Sequence, residues 1–187
     1  MSWNDSVAGS HLRRNDSRAT LRAPVAGCIA AGKQQPELSM AHKIDLTKQP
    51  PRSPRVRLGG YVILPRMLDK GRATLANANG EYHYNCPLDQ RFVEFVGIDP
   101  EAMKQELAKG KGDREILEWI NANAKYKHTA PEIEAWSLWQ ERRAPDNPDS
   151  RGYFNELHKG CAPERTDIVS WFDLLDVDDY VSFGGKA

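Results

Sequence analysis

Apolar residues recur at helical spacing through most of the chain, and turn-forming residues punctuate them. Tyr61-Val62-Ile63-Leu64 is apolar on every side, so it is buried whatever its conformation. Pro65 fits the first position of a helix running to about Asn77. Tyr61, Leu64, Leu68, Gly71 and Leu75 form its inner stripe, and Asn77 to Gly80 is a turn. A second helix runs from Pro87 to Val96, with Leu88, Phe92, Phe95 and Val96 inward. Asp99-Pro100 starts a third as cap plus first-turn proline, and Gly110 ends it. Asp113 caps a fourth, with Ile116, Leu117 and Ile120 inward. Thr129-Ala130-Pro131-Glu132 is a capping box ahead of Ile133, Trp136 and Trp139. Residues 144–148, with two prolines, break that helix. Ser150 to Lys159 forms another, with Phe154 and Leu157 inward and Gly160 as its stop. Thr166-Asp167 caps the last, with Ile168, Trp171, Phe172 and Leu175 inward. Alternating strand patterns are nearly absent, Tyr82-His83-Tyr84 being the short candidate. The pattern predicts a mainly α fold: a single compact domain of about five to seven helices over residues 40–187.

Residues 1–39 differ from the rest. They are rich in Ser, Asn, Arg, Gly and Ala and show no sustained period. They read as a disordered tail, or as a gene-prediction extension upstream of an initiator at Met40. Val25-Ala26-Gly27-Cys28 looks like a lipoprotein cleavage box, but no continuous apolar segment precedes it, so a secretory leader is not expected. Lys48 to Pro54 carries three prolines and must be extended, an arm lying over the domain. Gly59-Gly60 follows as a flexible joint.

The chain of 187 residues balances 26 Lys and Arg against 26 Asp and Glu. That balance argues against a nucleic-acid or anionic-membrane surface, which would show a basic excess. Cys28, Cys86 and Cys161 are too few and too widely spaced for a disulfide framework, so a cytoplasmic location is expected. No apolar run approaches a membrane span.

Titratable chemistry concentrates between Arg57 and Phe95. On a helical wheel Arg66 and Lys70 project away from the inner stripe, Asp69 is lateral, and Arg72 lies at the edge of the apolar face. A guanidinium at that edge needs a carboxylate or a bound anion. Asp69, three residues back, is one partner, and Glu81 and Asp89 are others. Arg72 is thus either a structural staple or, with Arg66 and Lys70, the holder of a phosphate or carboxylate ligand. Asp69, Glu81 and Tyr82 complete that candidate ligand site.

Cys86 precedes Pro87 and so sits at a helix N-cap, where free backbone N–H groups favour a thiolate. His83, three residues upstream, is a candidate base, which makes the two a nucleophilic pair. Asp89 in the same first turn works against it by like charge. A second His-x-x-Cys pair, His158 and Cys161, raises a tetrahedral zinc alternative with His83 and Cys86, although the spacing lacks the tight knuckle of zinc motifs. No metal and no cofactor is expected otherwise. Asp173, Asp176, Asp178 and Asp179 lack the glycine and terminal glutamate of a calcium loop and read as a solvated acidic end.

Five segments carry a resemblance. They are Leu58-Gly59-Gly60-Tyr61, Leu64 to Ala73, Gly80-Glu81-Tyr82, Cys86-Pro87-Leu88-Asp89 and Thr166 to Asp176. With them the chain resembles, from about Ile44 to Val177, an uncharacterised bacterial family, domain of unknown function 5069. The resemblance implies a small soluble bacterial protein and supplies no catalytic assignment. Two functions remain open on the residues. One is binding or processing of a small anionic ligand by the Arg66–Cys86 segment. The other is a helical interaction module meeting a protein partner or a second copy through Tyr61–Leu64 and the tryptophan helix.

Overall fold

A computed structural model describes residues 44–187. The readings of residues 1–39, and of Cys28 within them, lie outside the described residues. Seven helices are present among the described residues: α1 (Leu64–Leu75), α2 (Pro87–Val96), α3 (Pro100–Ala108), α4 (Asp113–Asn123), α5 (Ala130–Arg142), α6 (Pro148–Cys161) and α7 (Trp171–Ser182). There is no strand among them, and Tyr82-His83-Tyr84 is a turn segment. The one isolated bridge among them pairs Leu58 with Tyr61.

That bridge closes a hairpin turn rather than a flexible joint. Leu58 and Tyr61 exchange both backbone hydrogen bonds, at 3.0 and 3.1 Å. Gly59 and Gly60 have φ of 60° and 88°, the two positive values that a type I′ turn demands. A Cβ on Gly59 would also stand 2.7 Å from Leu117 Cδ1. The chain then turns into α1 through Ile63, whose φ is 70°. Leu64 N donates to Val62 O at 2.7 Å across it, a γ-turn in the rare form that a β-branched residue adopts only under strain.

Every residue from Tyr61 to Gly71 is buried. Helix α1 is therefore central, not a surface helix with one apolar stripe. Leu64, Met67 and Leu68 join Phe92 and Val96 of α2, Met103 and Leu107 of α3, Ile116 and Ile120 of α4, and Phe172 of α7 in one core. Leu75, expected inside, is exposed where the helix runs out of the core. A smaller core joins Phe154 of α6, Ile168, and Leu174 and Val177 of α7. Helix α7 thus faces both. On α5, Ile133 and Trp136 pack inward, with Trp136 stacked on Phe95 at 4.6 Å, while Trp139, also expected inside, is 56% exposed.

The arm is extended only in part: Lys48 ends a turn, its N–H bonded to Asp45 O at 3.2 Å, and Pro54-Arg55 form a second turn in which Val56 N bonds Ser53 O at 3.1 Å. Its arginines fasten it. Arg52 reaches Asp69 of α1 and Asp113 of α4. Arg55 reaches Asp173 and Asp176 of α7, and Arg57 reaches Glu134 and Glu141 of α5. Arg52 thereby ties the arm to two helices, and Arg55 and Arg57 each tie it to one more.

Some helix ends differ from expectation. The N-cap of α4 is Gly112, and Asp113, one residue later, serves Arg52 and Arg72 instead. Helix α6 begins at Pro148, ahead of the expected start at Ser150. Asn147 caps it, accepting from Ser150 N at 2.8 Å, and Pro148 takes the first position, where a missing N–H costs nothing. Gly160 lies inside α6 and does not stop it. The cap of α7 is Ser170, which accepts from Asp173 N at 3.1 Å, and not Thr166-Asp167.

Candidate functional site

The polar residues of α1 do not face water. Arg66 and Lys70, expected on the outer face, are each 3% exposed. The wheel identifies the more apolar side of a helix, but α1 has neighbours on all sides, and each charge meets an acid from another element. Arg66 places Nη1 2.5 Å from Asp179 Oδ2 and Nη2 3.0 Å from Asp179 Oδ1. Tyr82 donates its hydroxyl to the same Asp179 Oδ1 at 2.8 Å, and the Arg66 guanidinium lies 5.5 Å from the Tyr82 ring centre. Burial, then the Asp179 carboxylate, push the Tyr82 phenol upward.

Lys70 makes the other buried pair. Its Nζ lies 2.8 Å from Asp89 Oδ1 and 3.1 Å from Cys86 Sγ. Asp89 is fully buried in the first turn of α2. Burial pushes its carboxyl upward; Lys70 and the backbone N–H groups of Cys86 and Asn85 pull the other way. Asp89 Oδ2 has no hydrogen-bond partner among the described residues. Cys86 is the N-cap of α2, with extended backbone and no capping bond from its side chain, so its sulfur is left to Lys70.

Arg66, Tyr82, Lys70 and Cys86 border a cavity of about 700 Å³, within the range of small-molecule sites, while Asp89 lies behind Lys70 and outside its lining. Arg66, Lys70, Glu81, Tyr82, His83 and Cys86 all line it. The sequence points to these six but gives no sign that Asp178 and Asp179 line the cavity beside them. The acidic end of α7 is not a solvated patch: Asp173 and Asp176 hold Arg55, and Asp179 is buried against Arg66. Asp178 is half-buried, and burial, with Asp179 and Glu81 close by, pushes its carboxyl upward. No local spacing signals these partners, because Arg66 and Asp179 are 113 residues apart.

Asp69 and Arg72 belong elsewhere. Arg52 takes both oxygens of Asp69, and Arg72 turns to Asp113 at 2.7 Å, with Asp69 at 3.9 Å and the Lys111 carbonyl at 3.3 Å. Arg72 is a staple between α1 and α4. His83 is exposed at the cavity, and the group at hydrogen-bond distance from Cys86 Sγ is Lys70. The zinc alternative is not assembled: among the described residues no three His, Cys, Asp or Glu side chains converge as metal ligands. His158 instead places Nε2 2.8 Å from the Arg165 carbonyl.

The fold and site define a small all-α protein whose central helix presents a buried lysine to a thiol at a cavity wall. Residues 48–181 match the family described as Domain of unknown function (DUF5069), and the chain belongs to that family. No curated protein matches it. No helix among the described residues is long and apolar enough to cross a membrane.

Proposed function

We propose that this protein binds and processes a small molecule in the Arg66–Cys86 cavity, with Cys86 as the nucleophile. The observation that carries this reading is the run Cys86 Sγ, Lys70 Nζ, Asp89 Oδ1, with steps of 3.1 and 2.8 Å. A cation held against the sulfur by a buried carboxylate is one of the arrangements that activate a thiol nucleophile. Lys70 is held in one place by Asp89, and the positive end of α2 lies at the sulfur.

A phosphate or carboxylate on the ligand is the narrower form of this reading. Such a group would compete with Asp179 for Arg66 and with Asp89 for Lys70, because both cations are already engaged. The thiol therefore carries more of the reading than the arginines do. The test is a thermal-shift screen of the full chain against small metabolites, phosphorylated and carboxylated ones included. Thr47→Trp, at an exposed position on the cavity wall, is the filled control. A ligand at 100 times its Kd adds about 2.7 kcal/mol. A raised midpoint lost in Thr47→Trp supports the reading, and no hit in any class contradicts it.

One observation favours an interaction module instead: Leu138 and Trp139, consecutive on α5, are both exposed. Tyr61–Leu64, the other expected contact, is buried and takes no part. Sedimentation that shows a concentration-dependent dimer, abolished by Trp139→Ser, would support that second reading.

A further inference from the structure

Lys70 and Cys86 also have the geometry of a covalent pair. Their Nζ and Sγ are 3.1 Å apart. Lys70 is 3% exposed and anchored by Asp89, so its nitrogen cannot swing into bulk water without leaving a buried carboxylate unpaired. Cys86 is half-buried and lines the cavity, so a small oxidant reaches the sulfur. We propose that Cys86 and Lys70 form a modification site, in which a hydroperoxide oxidises the thiol and a sulfur–nitrogen crosslink closes between the two side chains. The crosslink regulates the nucleophile proposed above and rests on that reading for its purpose, though not for its chemistry.

The steps balance. The Cys86 sulfur attacks one peroxide oxygen, the O–O bond breaks, and sulfur gives up two electrons. The products are a sulfenic acid on Cys86 and an alcohol, or water from hydrogen peroxide, which takes the thiol proton. Lys70 then passes one ammonium proton to Asp89 Oδ1, 2.8 Å away. The freed lone pair attacks sulfur, the S–N bond forms and the S–O bond breaks. The hydroxyl leaves as water with a second proton from nitrogen. One thiol, one amine and one hydroperoxide thus yield a sulfenamide, water and an alcohol. A thiol reductant reverses it by attacking sulfur, releasing the amine, and a second thiol then frees Cys86 as the disulfide of the reductant leaves.

The linkage would remove the nucleophile and its cation together and lock α1 to the start of α2. Cys161 provides an internal contrast. Its sulfur lies 3.8 Å from the His158 carbonyl, and among the described residues no amine is bonded to it. It should therefore be oxidised without crosslinking.

The experiment treats the full chain with hydrogen peroxide, digests it and maps peptides by mass spectrometry. The expected result is that most Cys86 appears in one species joining the Lys70 and Cys86 peptides. That species is lighter than their sum by two hydrogens, vanishes with dithiothreitol and is absent from Cys86→Ser. Recovery of Cys86 as a dimedone-trapped sulfenic acid or a sulfinic acid, with Lys70 free, would overturn the proposal. The wild-type chain gives this answer directly, so no variant needs to fold. Iodoacetamide labelling of unoxidised protein separates the two readings. A Cys86 that alkylates readily but never crosslinks sinks this inference and leaves the small-molecule reading standing.

Discussion

Arg66 and Asp179 are joined by two hydrogen bonds, of 2.5 and 3.0 Å, and both residues are buried. The pair fastens the central helix to the last one and closes one wall of the cavity. Removing one partner strands the other charge without water, which costs about 3–5 kcal/mol. Arg66→Ala and Asp179→Ala should each lower the thermal midpoint by roughly 10 °C in a domain of this size. The double variant Arg66→Met, Asp179→Leu should recover most of that loss, because no charge is left behind. Thermal unfolding followed by circular dichroism reads all three. Losses that simply add in the double variant would show that the pair does not act as a unit.

Arg52 holds the arm down through Asp69 and Asp113. Arg52→Ala leaves Asp69, which is almost fully buried, with the backbone N–H of residue 52 at 3.0 Å and Arg72 at 3.9 Å. The expected loss is about 2 kcal/mol, less than for Arg66 because Arg52 is itself a third exposed. Limited proteolysis should then cut within residues 48–57 before it cuts the helices. Arm protection equal to wild type would rule out this role for Arg52.

Gly97 ends α2 in the left-handed region at φ 67°, with its N–H bonded to Val93 O at 2.8 Å. A Cβ there would also meet Lys125 Cβ and the Tyr126 ring at 2.8 Å. Gly97→Ala should cost at least about 1–2 kcal/mol from the backbone alone. Chemical denaturation would measure it, and a midpoint unchanged from wild type would refute the strain.

Acid should weaken the fold through Asp113. Burial works to raise its carboxyl, and the hydrogen bonds from Arg52 and Arg72 outweigh burial, so the pKa lies below the ordinary 3.8. A group lowered in the folded state contributes stability that is present above 3.8 and is lost as pH falls through its folded value. Asp89 runs the other way: its raised carboxyl makes the folded state bind a proton more readily, so acidification toward 3.8 relieves a cost. Midpoints measured against pH should show wild type falling more steeply than Asp113→Asn below pH 3.8, and parallel curves above it. Identical slopes below 3.8 would exclude the contribution of Asp113.

Much of the fold is legible in the sequence because its signals are local. Pro87, Asp99-Pro100 and the Thr129–Glu132 box mark the starts of α2, α3 and α5, and Phe92, Val96, Ile116 and Ile120 are core as their spacing implies. The start of α7 is misplaced in sequence because Thr166-Asp167 has the residue types of a cap, whereas Asp167 pairs with Arg165 and Ser170 caps the helix. The candidate site is half legible. Its residue types cluster in sequence, which points to Lys70, Tyr82 and Cys86. Their directions do not follow, because Asp179 and Asp89 reach α1 from other helices. The arm's arginines at 52, 55 and 57 are the overlooked signal, since closely spaced cations on a proline-rich arm point to acids beneath it.

In the proposed function, Lys70 and the start of α2 make Cys86 the reactive thiol among the described residues. Cys161 is the built-in comparison, because burial, and Asp178 beside it, push its thiol upward. A brief iodoacetamide pulse at neutral pH, read by peptide mapping, gives both rates in one sample. Cys86 should label faster than Cys161, and Lys70→Met, checked for folding by circular dichroism, should slow it by removing the cation at the sulfur. A Cys86 that labels no faster than Cys161, and at the same rate without Lys70, would contradict the account.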